Sequence, residues 1–164
     1  MLIVTSAFLR RTGSDGRPEV LVGLKKTGFG AGLVNCPGGK LEPGETPAEA
    51  VAREVAEETG MTVAVGDLKP AAEVVFRFPD VPEWDDIRLH CFTATEFAGE
   101  PQESAEIATG WLAEAELPYD RMWDDSRLWV PPVLAGEYVV MDVIYAGRSK
   151  VASHTRLPSA AGLG

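Results

Sequence analysis

The segment Thr46–Gly60 (TPAEAVAREVAEETG) constrains this chain more than any other. Thr46 and Glu49 have the T-x-x-E spacing of a capping box, in which each side chain satisfies the other's free backbone N–H. Pro47 falls at the first helical position, where no N–H is needed. Gly60 is placed to end the helix in a left-handed conformation. Ala48, Val51, Ala52 and Val55 form one apolar stripe, which belongs against a core. The spacing predicts a helix over 47–59.

That helix also carries Glu54, Glu57 and Glu58 at i, i+3 and i+4. At ~100° per residue the three fall within one arc. Like charges so placed destabilise a helix by about 0.2–0.5 kcal/mol per pair. A hard divalent cation bound by carboxylate oxygens would offset this, and Mg²⁺ suits such a site when phosphate completes its shell. An E-x-x-E-E run alone is most often a solvated acidic face. Here, however, a loop carrying Gly28, Gly30, Gly32, Gly38, Gly39 and Gly44 leads into the helix, and Glu45 lies just before the cap. Long loops inside compact domains are usually functional. Arg53 stands about 100° round from Glu54 and is placed to tie Glu45 or another loop carboxylate.

The rest reads as strands around this unit. Residues 2–9 (LIVTSAFL) and 19–24 (EVLVGL) flank the turn cluster TGSDGRP and predict a hairpin. A short strand is expected around 33–35, longer ones over 71–78 and 87–97, and a short one at 111–112. Residues 117–125 read as a loop. Residues 126–136 read as a helix interrupted by Pro131 and Pro132, and 137–146 with 150–155 as a closing hairpin. One domain over 1–156 accommodates all of these, with 157–164 a frayed, disordered tail.

The net charge of −10 argues against duplex nucleic acid or an anionic membrane as partner. A small polyanion remains compatible if metal ions screen the contact. No run approaches the ~20 apolar residues of a membrane span. The first apolar run precedes Arg10 and Arg11, the reverse of a signal peptide, so a cytoplasmic protein is expected. Cys36 and Cys91 lack disulfide-framework or zinc-ligand spacing and read as buried thiols.

Gly39, Glu45, Arg53, Glu54, Val55, Glu57, Glu58, Gly60 and Met61 fill the pattern G-x5-E-x7-R-E-U-x-E-E-x-G-U, where U is aliphatic. In this the chain resembles the Nudix hydrolases. The resemblance implies an α/β/α sandwich around a mixed sheet, with this box as a loop–helix–loop. It implies hydrolysis of a nucleoside diphosphate linked to another group, with Mg²⁺ or Mn²⁺ as cofactor. Glu54 and Glu58 would be metal ligands with the carbonyl of Gly38 or Gly39, Glu57 would complete the carboxylate set, and Arg53 and Glu45 would orient helix and loop. Which carboxylate acts as general base is left open.

The likeness extends outside the box. KKTGFGAGLVNCPGGKLEPGE, ESAEIATGW and MWDDSRLW resemble the MutT-like oxidised purine nucleoside triphosphatases, or 8-oxo-dGTP diphosphatases. This implies phosphate contact by Lys25, base contact by Asn35, pocket aromatics at Phe29, Phe76, Phe78 and Trp123, and a catalytic or metal-binding carboxylate at Glu106. Each has a plainer reading: a turn cap for Asn35, an edge charge for Lys25, a solvated side chain for Glu106, core packing for the phenylalanines. The family places two aspartates in M-W-x-D-D, whereas Met122-Trp123 is followed here by Asp124-Asp125-Ser126. Either Asp124 with Asp125, or Asp125 with Ser126, would read the base. The expected reaction converts an oxidised purine nucleoside triphosphate to the monophosphate and pyrophosphate. Alternatives are a Nudix hydrolase of a plain nucleotide, ADP-ribose or a nucleotide sugar, or a non-catalytic nucleotide-sensing module. The oligomeric state is not legible.

Overall fold

In the computed structural model, residues 1–159 are described. The strands are β1 (Leu2–Thr12), β2 (Pro18–Lys25), β3 (Val34–Asn35), β4 (Gly38–Lys40), β5 (Lys69–Arg77), β6 (Ile87–Ala94), β7 (Ile107–Ala113), β8 (Val139–Ala146) and β9 (Lys150–Leu157). The helices are α1 (Pro47–Thr59) and α2 (Ser126–Leu134). Leu157, expected to begin the tail, closes β9. The tail's last residues, 160–164, lie outside the described residues.

The strands run in the order β3-β2-β1-β6-β5-β8-β9, with β4 added to β1 and β7 to β2. β1 with β6 and β5 with β8 are parallel and the other pairs antiparallel, so the sheet is mixed. Successive side chains of a strand point to opposite faces, and both faces of this sheet are apolar at its centre. Ala7, Leu9 and Leu21 pack under Val51 and Val55 of α1, with Met61, Val63 and Phe92. Phe8, Val20 and Val22 face the other way, toward Trp129, Val130 and Val133 of α2. The result is an α/β/α sandwich. Among the described residues no helix is long and apolar enough to cross a membrane.

Helix α1 forms as its caps dictate. Glu49 N–H donates to Thr46 Oγ1 (3.2 Å) and Thr46 N–H to Glu49 Oε2 (2.9 Å). Gly60, at φ 74°, donates its N–H to Ala56 O. Three elements depart from the sequence reading. β7 spans Ile107–Ala113, longer than 111–112, because it pairs along all of Glu19–Lys25 despite Gly110 at its centre; tertiary pairing outweighs weak strand propensity. β4 was hidden in the glycine-rich loop. Thr5 pairs with Gly39 and Ser6 with Gly38, and a Cβ on Gly38 would lie 1.9 Å from Thr5 O, so only glycine admits this approach. Helix α2 runs through Pro131 and Pro132 instead of breaking. Each proline deletes one helical hydrogen bond, but the helix ends at Leu134, and the buried Trp129, Val130 and Val133 hold it in place.

Candidate active site

β4 and α1 together build an acidic trench. Gly39 has no side chain, and a Cβ there would lie 2.4 Å from Cδ of Glu54, so that carboxylate rests against the loop backbone. One turn on, Glu58 Oε1 accepts from Gly38 N–H at 3.3 Å. Thr5 Oγ1 donates to Gly39 O (3.1 Å) and pins the loop to β1. Glu54, Glu58, Glu106, Lys25 and Lys40 line the trench with the two glycines. Burial pushes the Glu58 carboxyl up to about 7, and the neighbouring Glu54 adds to it, while the Gly38 N–H and Lys25 oppose it.

Arg53 accounts for much of the acidic crowding. It grips Glu45 through two nitrogens and donates to Lys40 O (3.1 Å), Glu54 Oε1 (3.0 Å) and Glu57 Oε2 (3.3 Å). Its guanidinium holds the Glu45 carboxyl below the usual carboxylate range. The tie to Glu45 expected from the helix geometry is present. Arg53 and Glu57 do not line the trench, and Glu57 is exposed.

The trench suits a hard cation in its chemistry. Two carboxylates, Glu54 and Glu58, stand beside two glycines whose backbone they can approach closely, and the burial cost of Glu58 is only partly offset by the Gly38 N–H and Lys25. Oxygen donors of this kind favour Mg²⁺ or Mn²⁺ over softer metals. Among the described residues, no group of three or more acidic, His or Cys side chains is arranged around one ion position. Arg53 instead occupies faces of Glu54 and Glu57.

Beside the trench lies a cavity of about 450 Å³. Lys25, Gly38, Gly39, Lys40 and Glu58 line both, so the two spaces are contiguous. Its walls are aromatic. Phe29 stacks on Trp123 with centroids 5.1 Å apart and meets the edge of Trp84 at 4.9 Å. Phe78 meets Trp84 at 5.2 Å. Phe76 and Phe78 are buried, so they serve as core and as cavity wall at once.

Asn35, Asp125 and Ser126 are among the polar residues that line the cavity. Asp125 is buried. Its Oδ2 accepts from Trp129 Nε1 (2.7 Å) and its Oδ1 from the Tyr145 hydroxyl. Burial raises the Asp125 carboxyl above the usual range, against these two donors. Asp124 does not line the cavity. Its Oδ2 accepts from Val151 N–H (2.9 Å) and it pairs with Arg127 at 3.3 Å. Of the two readings of this turn, Asp125 with Ser126 is the pair that faces the cavity. Tyr145 and Val151, cross-strand partners in β8 and β9, hold these two consecutive aspartates.

Sequence reasoning missed Trp84, Lys40 and Tyr145. Trp84 is a lone indole in an otherwise polar loop (PDVPEWDD), a signal that was available. Tyr145 follows Val139, Met141 and Val143 in alternation, which announces its burial but not its partner.

Residues 3–132 match the family described as NUDIX domain. An oxidized purine nucleoside triphosphate hydrolase of Danio rerio is 37% identical over 136 residues, 83% of this chain and 85% of that protein. The Mus musculus protein of the same description is 38% identical over 116 residues, 71% of this chain and 72% of its own length. Among solved structures, a MutT protein from Bacillus halodurans superposes with a TM-score of 0.78 at 25% identity, covering 97% of this chain and 99% of its own.

Proposed function

Because the chain belongs to the Nudix family and is a hydrolase, we propose that it converts an oxidised purine nucleoside triphosphate, of the 8-oxo-dGTP type, to the monophosphate and pyrophosphate. The observation that carries this reading is the contiguity of an aromatic cavity with the acidic trench, across Gly38, Gly39 and Glu58. A planar base in the first places its phosphates over the second.

In this reading Phe29, Phe76, Phe78, Trp84 and Trp123 enclose the base, and Asn35, Asp125 and Ser126 meet its polar edge. Lys25, with Lys40, contacts the phosphates. Glu54 and Glu58, with the carbonyl of Gly38 or Gly39, would hold Mg²⁺ or Mn²⁺; Glu106 supplies a further carboxylate in the trench, and Glu57, held by Arg53, another outside it. The metal, when bound, neutralises phosphate charge and lowers the pKa of attacking water. Arg53 and Glu45 keep helix and loop in register. The setting is a small-molecule pool in the cytoplasm rather than a polymer or membrane surface.

The test compares kcat/KM with Mg²⁺ for 8-oxo-dGTP, dGTP and dCTP, read by pyrophosphate release, and for ADP-ribose, read by formation of AMP. The highest value is expected for 8-oxo-dGTP. A higher value for any of the other three overturns the substrate assignment, and no pyrophosphate from any triphosphate overturns the reaction.

A further inference from the structure

The base-facing turn is held from a part of the chain beyond the residues that match the family. That match ends at residue 132, whereas β8 and β9 follow it. Tyr145 of β8 is 1% exposed and its hydroxyl donates to Asp125 Oδ1. Its ring lies 5.2 Å from Phe78 and edge-on to Trp123 at 6.4 Å. One residue before Asp125, Asp124 is fixed by the backbone N–H of Val151 in β9. Both strands of the C-terminal hairpin thus grip consecutive residues of one turn.

A carboxylate offers about four lone-pair sites. Tyr145 and Trp129 take one on each oxygen of Asp125, which fixes the carboxylate plane. The remaining capacity is available to the cavity that Asp125 lines. Toward the carboxylate both partners donate; the Tyr145 hydroxyl also accepts from Asp125 N–H (3.4 Å), which leaves its own proton for Oδ1. The indole N–H has no acceptor, and burial with the adjacent carboxylate pushes the Tyr145 phenol above its ordinary pKa, so it keeps its proton. Asp125 is therefore presented to the cavity as an acceptor pair. A guanine-type edge meets it with a ring N–H beside an amino group. The Watson–Crick edge of an adenine-type base brings an amino group beside a bare ring nitrogen, whose lone pair faces a carboxylate oxygen.

We propose that Tyr145 is a specificity-determining positioning residue, whose hydroxyl holds Asp125 as an acceptor toward the cavity and so selects guanine-type over adenine-type nucleoside triphosphates. This rests on the reading that the aromatic cavity takes the base.

The experiment is steady-state kinetics of the wild type and Tyr145→Phe on 8-oxo-dGTP and 8-oxo-dATP with Mg²⁺. The wild type is expected to favour 8-oxo-dGTP. Tyr145→Phe is expected to lose roughly tenfold or more of that preference, as one oriented hydrogen bond to a charged group is removed. The loss should fall on KM for 8-oxo-dGTP with kcat little changed. A uniform fall in kcat with the preference intact is what a merely structural role gives, and it overturns the proposal. Trp129→Phe removes the other donor and should erode the preference in the same direction. If Tyr145→Phe does not fold, an unchanged preference in Trp129→Phe overturns the proposal. Turnover of both nucleotides by the wild type without preference overturns this proposal alone. Turnover of neither overturns the underlying reading as well.

Discussion

Arg53 Nε lies 2.6 Å from Glu45 Oε1 while Arg53 Nη2 lies 3.0 Å from Glu45 Oε2, a two-pronged bond between helix and loop. A guanidinium makes such a fork and an ammonium cannot. Arg53→Lys keeps the charge but loses the fork and the ties to Lys40 O, Glu54 and Glu57. We expect kcat to fall about 10- to 100-fold, the usual cost of removing a group that orients metal ligands, with a small change in Tm. Steady-state kinetics and a thermal melt check it. Unchanged kcat would show that the loop holds its position without Arg53.

The two adjacent glycines should fail differently. A Cβ on Gly39 meets the far end of Glu54, which can swing aside, so Gly39→Ala should abolish most activity and leave Tm nearly unchanged. A Cβ on Gly38 meets Thr5 O at 1.9 Å, within the backbone of β1. Gly38→Ala must push the strands apart and should lower Tm by several degrees, on the order of 1–3 kcal/mol of overpacking strain. Equal Tm values for the two variants would contradict this.

Glu58→Gln is isosteric and should retain the fold. Turnover should fall by about 100-fold or more, since about 2.7 kcal/mol of metal-borne charge stabilisation corresponds to that factor. Isothermal titration of Mg²⁺ should show weakened binding in parallel. A loss below tenfold would move the metal site elsewhere.

The pH dependence has a defined sign. The Glu58 carboxyl is raised in the folded protein from 4.5 to about 7. Below pH 4.5 it is protonated both folded and unfolded and costs nothing. As pH rises from about 4.5 to 7, the unfolded form ionises freely and the folded form does not, so metal-free stability falls; above 7 the loss is complete. In EDTA, the Tm advantage of Glu58→Gln over wild type should therefore grow across this window and then level. Added Mg²⁺ should raise wild-type Tm more at pH 8 than at pH 5.5. Equal gains at both would remove Glu58 from the metal shell.

Trp123→Ala removes one stacking face of the cavity. Loss of about 1–3 kcal/mol of stacking predicts a rise in KM for purine substrates of roughly five- to hundredfold, with kcat little changed. An unchanged KM would place the base outside the aromatic cavity.

Helix α1 was legible residue by residue because its signals are local: Thr46, Pro47, Glu49 and Gly60 each act within one turn of themselves. The acidic motif was legible for the same reason. β4 and the full length of β7 were not, since Gly38, Gly39 and Gly110 have little strand preference and extend only because β1 and β2 pair with them. The Asp124-Asp125-Ser126 turn left two alignments open. Tyr145 and Val151, 20 and 27 residues downstream of their partners, hold it through contacts that no local pattern encodes.

The parallel pairing of β5 with β8 has a consequence for biosynthesis. Residues of α1 and β4 leave the ribosome early, and the strands that carry the trench, β1, β2 and β7, are all present once Ala113 has emerged. Asp125 waits for Tyr145, so a nascent chain can assemble its acidic trench long before the cavity wall at Asp125 is held in place. Until then β5 has an open edge where β8 will pair, with Val74 and Phe76 lacking their final cover. Unpaired strands of this kind are the adhesive surfaces of incomplete chains. A ribosome that stalls after Ala113 has emerged and before Val139 has done so would therefore hold out a fragment prone to self-association, until β8 pairs with β5 and covers that edge.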